Sequence, residues 1–140
     1  MWYVRKRINR LGFEAGYIYD QIGSGIIFRA FEQRPLLIDN ALYGLKLDYE
    51  LSENWNIKAF TGRQKQQFDT YEPIIRGLNI EGYVQGDSLS TWSLAPGFGV
   101  VARTLDDASM NSLVATLNLY PDEDIFVPKY NAYAFTLYNT

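Results

Sequence analysis

Between Tyr43 and Leu51 apolar and polar side chains alternate without a break. Tyr43, Leu45, Leu47, Tyr49 and Leu51 take one side, and Gly44, Lys46, Asp48 and Glu50 take the other. Successive side chains of an extended strand point to opposite faces, so this pattern specifies a β-strand with one apolar and one polar face. Ser52-Glu53-Asn54 is a short polar turn. Trp55, Ile57 and Ala59 then resume the apolar side, opposite Asn56 and Lys58, and Phe60 interrupts the polar side. A connection this short makes the two strands antiparallel neighbours. Tyr43 to Arg63 is therefore a hairpin whose two faces need different surroundings.

The same period recurs along the chain from near residue 12, and helical stripes do not. Phe13, Ala15, Tyr17 and Tyr19 alternate with Glu14, Gly16, Ile18 and Asp20. Gly23-Ser24-Gly25 interrupts, Ile26 to Phe31 is again β-prone, Pro35 ends that run, and Asp39-Asn40 reads as a turn. Gln64 to Pro73 is polar, a loop or a strand extension. Leu78, Ile80, Gly82 and Val84 form another alternating run, and Gly86-Asp87-Ser88 a turn. Phe98 to Leu105 and Leu113 to Tyr120 read as strands joined by the polar segment Asp106 to Ser112. Tyr133, Phe135 and Leu137 carry a last strand. About eight strands are expected, in one domain covering residues 1–140, with no linker and no internal repeat.

Two architectures fit. A soluble β-sandwich turns its apolar faces inward. A membrane barrel inverts this, apolar to lipid and polar to the lumen. Three features favour the barrel. The polar faces mix glycine with charge, as at Gly44, Lys46, Asp48, Glu50 and Gly62. Aromatics sit near strand ends, at Tyr43, Tyr49, Trp55, Tyr133 and Tyr138. The connections are unequal, tight at Ser52 to Asn54 and long at Gln21 to Asn40 and Gln64 to Pro73. No run of 18 apolar residues is present, so no transmembrane helix is expected. Met1 to Arg10 is basic and lacks the apolar stretch of a secretory signal, which does not exclude export.

Composition narrows the chemistry. The chain has neither Cys nor His. Disulfides, thiolate nucleophiles, Cys-type zinc sites and the commonest general base are therefore unavailable. The net charge of -3 argues against a nucleic-acid partner, because phosphate neutralisation needs a basic face. Tyr, present 11 times, suits boundaries between dry and wet surroundings.

The segment Tyr19 to Leu47 carries Gly23-Ser24-Gly25, the run Phe28-Arg29-Ala30-Phe31-Glu32, and Ile38-Asp39-Asn40-Ala41-Leu42 followed by Gly44. It resembles part of a family of Bacteroidota outer-membrane barrel proteins of unknown function. The resemblance covers about a fifth of the chain specifically. It implies an antiparallel up-and-down outer-membrane barrel, this chain being a section of a longer one. It brings no catalytic residues.

The candidate sites each have a plain structural reading. Gly23-Ser24-Gly25 lacks the Lys-Ser/Thr of a phosphate loop and reads as a bend that lets the chain fold against a wall. Arg29, Glu32, Arg34 and Asp39 form a candidate charge cluster in the lumen holding an inward segment, or else solvated loop charges. Lys46, Asp48, Glu50 and Lys58 share the polar face of the hairpin, where cross-strand charge pairing is the simple role. Asp48 and Glu50 lie about 7 Å apart along one strand beside lysines, a poor acid–base pair. Asp122, Glu123 and Asp124, like Asp106 and Asp107, lack Ca²⁺-loop spacing and read as solvated acidic segments. Arg5, Lys6, Arg7 and Arg10 read as a flexible basic terminus or a contact to anionic headgroups. Leu45, Leu47, Tyr49, Leu51, Trp55 and Ile57 are the candidate lipid-facing residues.

The leading expectation is a non-enzymatic outer-membrane barrel protein of structural, assembly or transport-accessory role. It needs no cofactor, and its partners are outer-membrane lipid and other outer-membrane proteins in a complex. The alternative is a soluble β-sandwich module binding carbohydrate through exposed aromatics. A carboxylate-dependent hydrolase is the weakest reading.

Overall fold

A computed structural model describes residues 2–66, 69–86, 92–121 and 126–139. Seven strands form one antiparallel sheet in sequence order. They are β1 (Tyr3–Ile8), β2 (Leu11–Ile18), β3 (Leu42–Ser52), β4 (Trp55–Gln66), β5 (Asp69–Gly82), β6 (Pro96–Thr104) and β7 (Asn131–Asn139). The hairpin inferred from alternation is β3–β4, with Leu47 opposite Ala59 and Asp48 opposite Lys58. Of Gln64 to Pro73, residues 64–66 and 69–73 are strand, belonging to β4 and β5, and Gln67 and Phe68 lie outside the described residues.

The sheet is not a closed barrel among the described residues. β1 and β7 remain its two edges. A reason lies in the strand number. In a meander of seven antiparallel strands, the first and last run in the same direction. Joining them to each other would require a parallel pair, which breaks the pattern of every other ladder.

Two other expectations are corrected. Leu113 to Tyr120, read as a strand, lies largely in a helix, α1 (Asp107–Leu117), which also absorbs most of the polar segment before it. The Asp106 side chain accepts a hydrogen bond from the Ser109 backbone N–H at 3.0 Å and caps the first turn. Asp107 adds negative charge at the positive end of the helix dipole. The N-terminal residues, read as a flexible tail, form β1. Its backbone pairs with β2 from Tyr3 opposite Gly16 to Ile8 opposite Leu11. Charges on both faces of β1 hid its alternation.

Directly opposed residues of an antiparallel pair lie on the same face, so the register sorts the sheet into rows. One face carries Ile8, Leu11, Tyr49, Ile57, Ile80, Phe98 and Leu137 in a single row across all seven strands. The next row runs Lys6, Phe13, Leu47, Ala59, Leu78, Val100 and Phe135. None of these residues is buried, and Leu137 is 83% exposed. No described part of the chain covers this face.

The other face is covered. The connection from β2 to β3, Tyr19–Ala41, lies across it. Ile22 of the connection joins Ile18, Leu42, Phe60 and Val101 in the main buried cluster, with Ile27, Phe28, Ile75 and Tyr138 packed against it. The core thus sits between the sheet and its own long loop. Phe60, the odd apolar residue on the polar side of the hairpin, stacks against Phe28 with ring centroids 4.4 Å apart.

Candidate functional site

The covered face places charge beside this small core. One row reads Arg5, Glu14, Lys46, Phe60, Gly77, Val101 and Ala134 across the sheet. The next reads Arg7, Gly12, Asp48, Lys58, Asn79, Gly99 and Thr136. The first row is ionic from β1 to β3 and apolar or small beyond, and the second carries charge as far as Lys58 on β4.

Asp20 descends from the loop onto this surface. Its Oδ1 lies 2.9 Å from Lys58 Nζ and its Oδ2 lies 3.1 Å from Lys46 Nζ. Lys46 also reaches Glu14 at 3.2 Å and Asp48 at 3.6 Å. Arg5 meets Glu14 at 2.8 Å. Three cations, Arg5, Lys46 and Lys58, thereby face three carboxylates, Glu14, Asp20 and Asp48. A buried charge left unpaired costs several kcal/mol, so mutual compensation is what permits Lys46 and Glu14 to be buried at all. Burial opposes ionisation of Asp20. The hydrogen bond and charge of Lys58, with the charge of Lys46, outweigh it and hold the carboxyl below its ordinary range.

A second ionic tie closes the far end of the loop. Lys65 pairs with Asp39, which also accepts a hydrogen bond from the Tyr19 hydroxyl at 3.1 Å. Burial opposes ionisation of Asp39, but Lys65, the Ala41 N–H and Tyr19 together lower its pKa. Burial and the nearby Asp39 carboxylate push the Tyr19 hydroxyl up to about 12. The Lys65 backbone N–H donates to the Ala41 carbonyl at 2.8 Å, so strand β4 holds the loop as it returns.

The charge cluster expected from sequence therefore divides. Lys46, Asp48 and Lys58 belong to the Asp20 network. Asp39 belongs to the Lys65 tie. Glu50 pairs with Arg7 of β1. Arg34 pairs with Glu32 at 3.1 Å on the exposed side of the loop, and Arg29 lies over the Phe31 ring at 4.7 Å. Glu32 lies opposite Asp39 in a two-residue antiparallel ladder, but among the described residues no ion pair joins Arg29, Glu32 or Arg34 to Asp39. Asp48 and Glu50 each face a cation, so charge pairing is what their geometry provides.

Sequence reasoning missed Glu14, Asp20, Lys65, Asn79 and Tyr138. Glu14 was readable from period two, since it shares the polar side of β2. Asp20 carried no local signal, because its partners lie on β3 and β4. Tyr138 donates to Asn79 at 2.8 Å and to Glu81 at 3.3 Å, joining the last strand to β5. Gly23 reads correctly as a bend. It has φ +51°, and a Cβ there would lie 2.7 Å from the Tyr138 ring. Asp122, Glu123 and Asp124 lie outside the described residues. Asp106 serves as the helix cap.

Residues 1–135 match the model of a family described as a family of unknown function (DUF6029). The chain belongs to that family. No curated protein matches it, and no solved structure matches it. In this DUF6029 chain no helix among the described residues is long and apolar enough to cross a membrane, which leaves crossing by strands open.

The candidate lipid-facing residues of this DUF6029 chain all lie on the uncovered face or at its margin. Leu47, Tyr49, Leu51 and Trp55 are exposed, and Leu45 and Ile57 are half-buried by their neighbours. Tyr43 meets Tyr17 at 5.1 Å and Trp2 at 6.0 Å, which makes an aromatic cluster at one end of that face. Tyr49 and Trp55 stand toward the other end.

Proposed function

We propose that this chain is a wall section of an outer-membrane β-barrel of Bacteroidota, with a structural, assembly or transport-accessory role rather than an enzymatic one. The observation that carries the reading is the inversion of the sheet. In a water-soluble sandwich the continuous apolar face is covered and the polar face is wet. Here the apolar face is bare and the protein's own loop lies across part of the charged face. A bare apolar face across seven strands far exceeds the scattered apolar residues of an ordinary surface.

The dimensions agree with a bilayer. Eight residue steps from Tyr43 to Leu51 span about 26 Å of strand at ~3.3 Å each. A tilt of ~40° reduces this to about 20 Å, close to the apolar band of such barrels. Aromatics flank the band as interfacial girdles do. Lys6 and Arg76 are the charges within the middle rows. Lys6 sits on the edge strand, and Arg76 lies one row from the Tyr43 end, within snorkelling reach of the interface. Backbone groups facing lipid need partners, so the edges of β1 and β7 call for further strands or neighbouring outer-membrane proteins.

Expression of the full protein and fractionation of the cells tests this. A heat-modifiable band in the outer-membrane fraction is expected. A stable monomer in buffer without detergent would overturn the reading and favour the soluble sugar-binding module.

A further inference from the structure

We propose that the covered face lines a conduit for small polar solutes, and that Tyr19–Ala41 is its constriction, seated by Asp20 between Lys46 and Lys58. The inference rests on the barrel reading and assigns a function to the inside of that barrel.

The first argument is the length of the connection. β2 and β3 are paired neighbours, with Ile18 opposite Leu42. Asn9-Arg10 and Glu53-Asn54 show that such neighbours need two connecting residues. Tyr19–Ala41 is far longer than the join requires, and it turns inward over the polar face instead of outward into solvent.

The second argument is how the segment is held. Within it, the Ala30 N–H donates to the Asp20 carbonyl at 2.7 Å and Gln21 bridges Arg29, so it has a folded core of its own. Against the wall, Ile22 fits where Gly99 has no side chain, Phe28 stacks on Phe60, and Gly23 rests on Tyr138. Asp20 supplies the ionic contact at the start of the segment, as Asp39 with Lys65 does at its end. The wall does not depend on it in the same way. Without the Asp20 charge, Lys46 keeps Glu14 and Asp48. The segment can therefore lift while the strands stay paired.

The third argument is what lies beside the segment. The same face holds an open cavity of about 880 Å³ toward the short turns. Arg5, Arg7, Glu14, Asp48, Glu50 and Glu81 contribute to its lining. Opposite charges are paired across strands, as in Arg5 with Glu14 and Arg7 with Glu50. A wetted wall of largely paired charge with an acidic excess suits transit of small neutral or zwitterionic solutes, with a weak preference for cations. A lumen wall needs no tight complement to any one of them.

The test uses full-length protein in planar bilayers and in sugar-loaded liposomes. Wild type, Asp20→Asn, Asp20→Glu and Lys58→Met are compared, with the heat-modifiable band as the check on folding. Asp20→Asn and Lys58→Met should each raise conductance and sugar flux several-fold, and Asp20→Glu should stay near wild type. Trypsin cleavage after Arg29 reports release of the segment, since Pro35 protects the bond after Arg34. Folded, inserted variants with a trypsin-sensitive segment and unchanged flux would overturn the constriction and leave the barrel reading standing. Failure of the wild type to insert would overturn the barrel reading and the conduit with it.

Discussion

Asp20 and Lys58 stand 38 residues apart in the chain and 2.9 Å apart in the fold. One comes from a connection and the other from a strand, and their contact is one of those that hold the connection over this face of the sheet.

That contact makes the loop acid-sensitive. Asp20 and Asp39 both have pKa values below their ordinary 3.8. A depressed pKa contributes stability that is complete above the unfolded value and is lost as pH falls through the folded one. Loop seating should therefore hold constant from neutral pH down to about 4 and fail below it. Amide exchange of Gln21 to Phe31, corrected for intrinsic rates, reads this directly. Lys58→Met removes part of the depression and should move the release to higher pH; an unchanged midpoint would show that Lys58 does not hold the segment.

Leu47 and Asp48 are adjacent and face opposite ways, which gives a test of the two surfaces. Leu47→Arg puts a charge on the bare face near the middle of the band and should cost about 2–4 kcal/mol, with impaired insertion. Asp48→Asn removes a half-exposed carboxylate 3.6 Å from the buried Lys46, which keeps Glu14 and Asp20, and should cost under about 1 kcal/mol. Denaturant unfolding of protein inserted in liposomes measures both. Equal tolerance at the two positions would remove the distinction between the faces.

Gly23 tests the fit of loop to wall. Its φ of +51° disfavours any Cβ, and the Tyr138 ring occupies the space a methyl group would take. Gly23→Ala should weaken seating by about 1–3 kcal/mol. Adding Tyr138→Ala frees the space but not the backbone, so the double variant should recover only part of the loss. Trypsin sensitivity at Arg29 follows both, and full recovery would assign the whole effect to the ring.

The Asp106 side chain caps the first turn of α1. Asp106→Ala should speed amide exchange in the first turn, at Ser109 and Met110, while leaving β6 and β7 unchanged. If those amides exchange at the wild-type rate, the Asp106–Ser109 bond contributes nothing to the helix.

What the sequence determined by itself is the set of elements whose rule is local. Period two follows from the geometry of an extended chain, so Tyr43 to Leu51 declares both a strand and its two faces without any partner. The turn at Ser52 to Asn54 then fixes its neighbour, and the absence of Cys and His bounds the chemistry. Where two local rules competed, local reading failed. Leu113 to Tyr120 has β-prone residues, but the Asp106 cap lies upstream of them, and hydrogen bonding within the turn prevailed. Charges on both sides of Tyr3–Ile8 masked a strand that pairing with β2 stabilises. Only the tertiary structure decided which face is covered. That depends on where Tyr19–Ala41 comes to rest, and its resting place is set by Asp20, Ile22 and Phe28 meeting residues on other strands. Such contacts leave no period in the sequence, because they are made across space by side chains whose own neighbours give no sign of them.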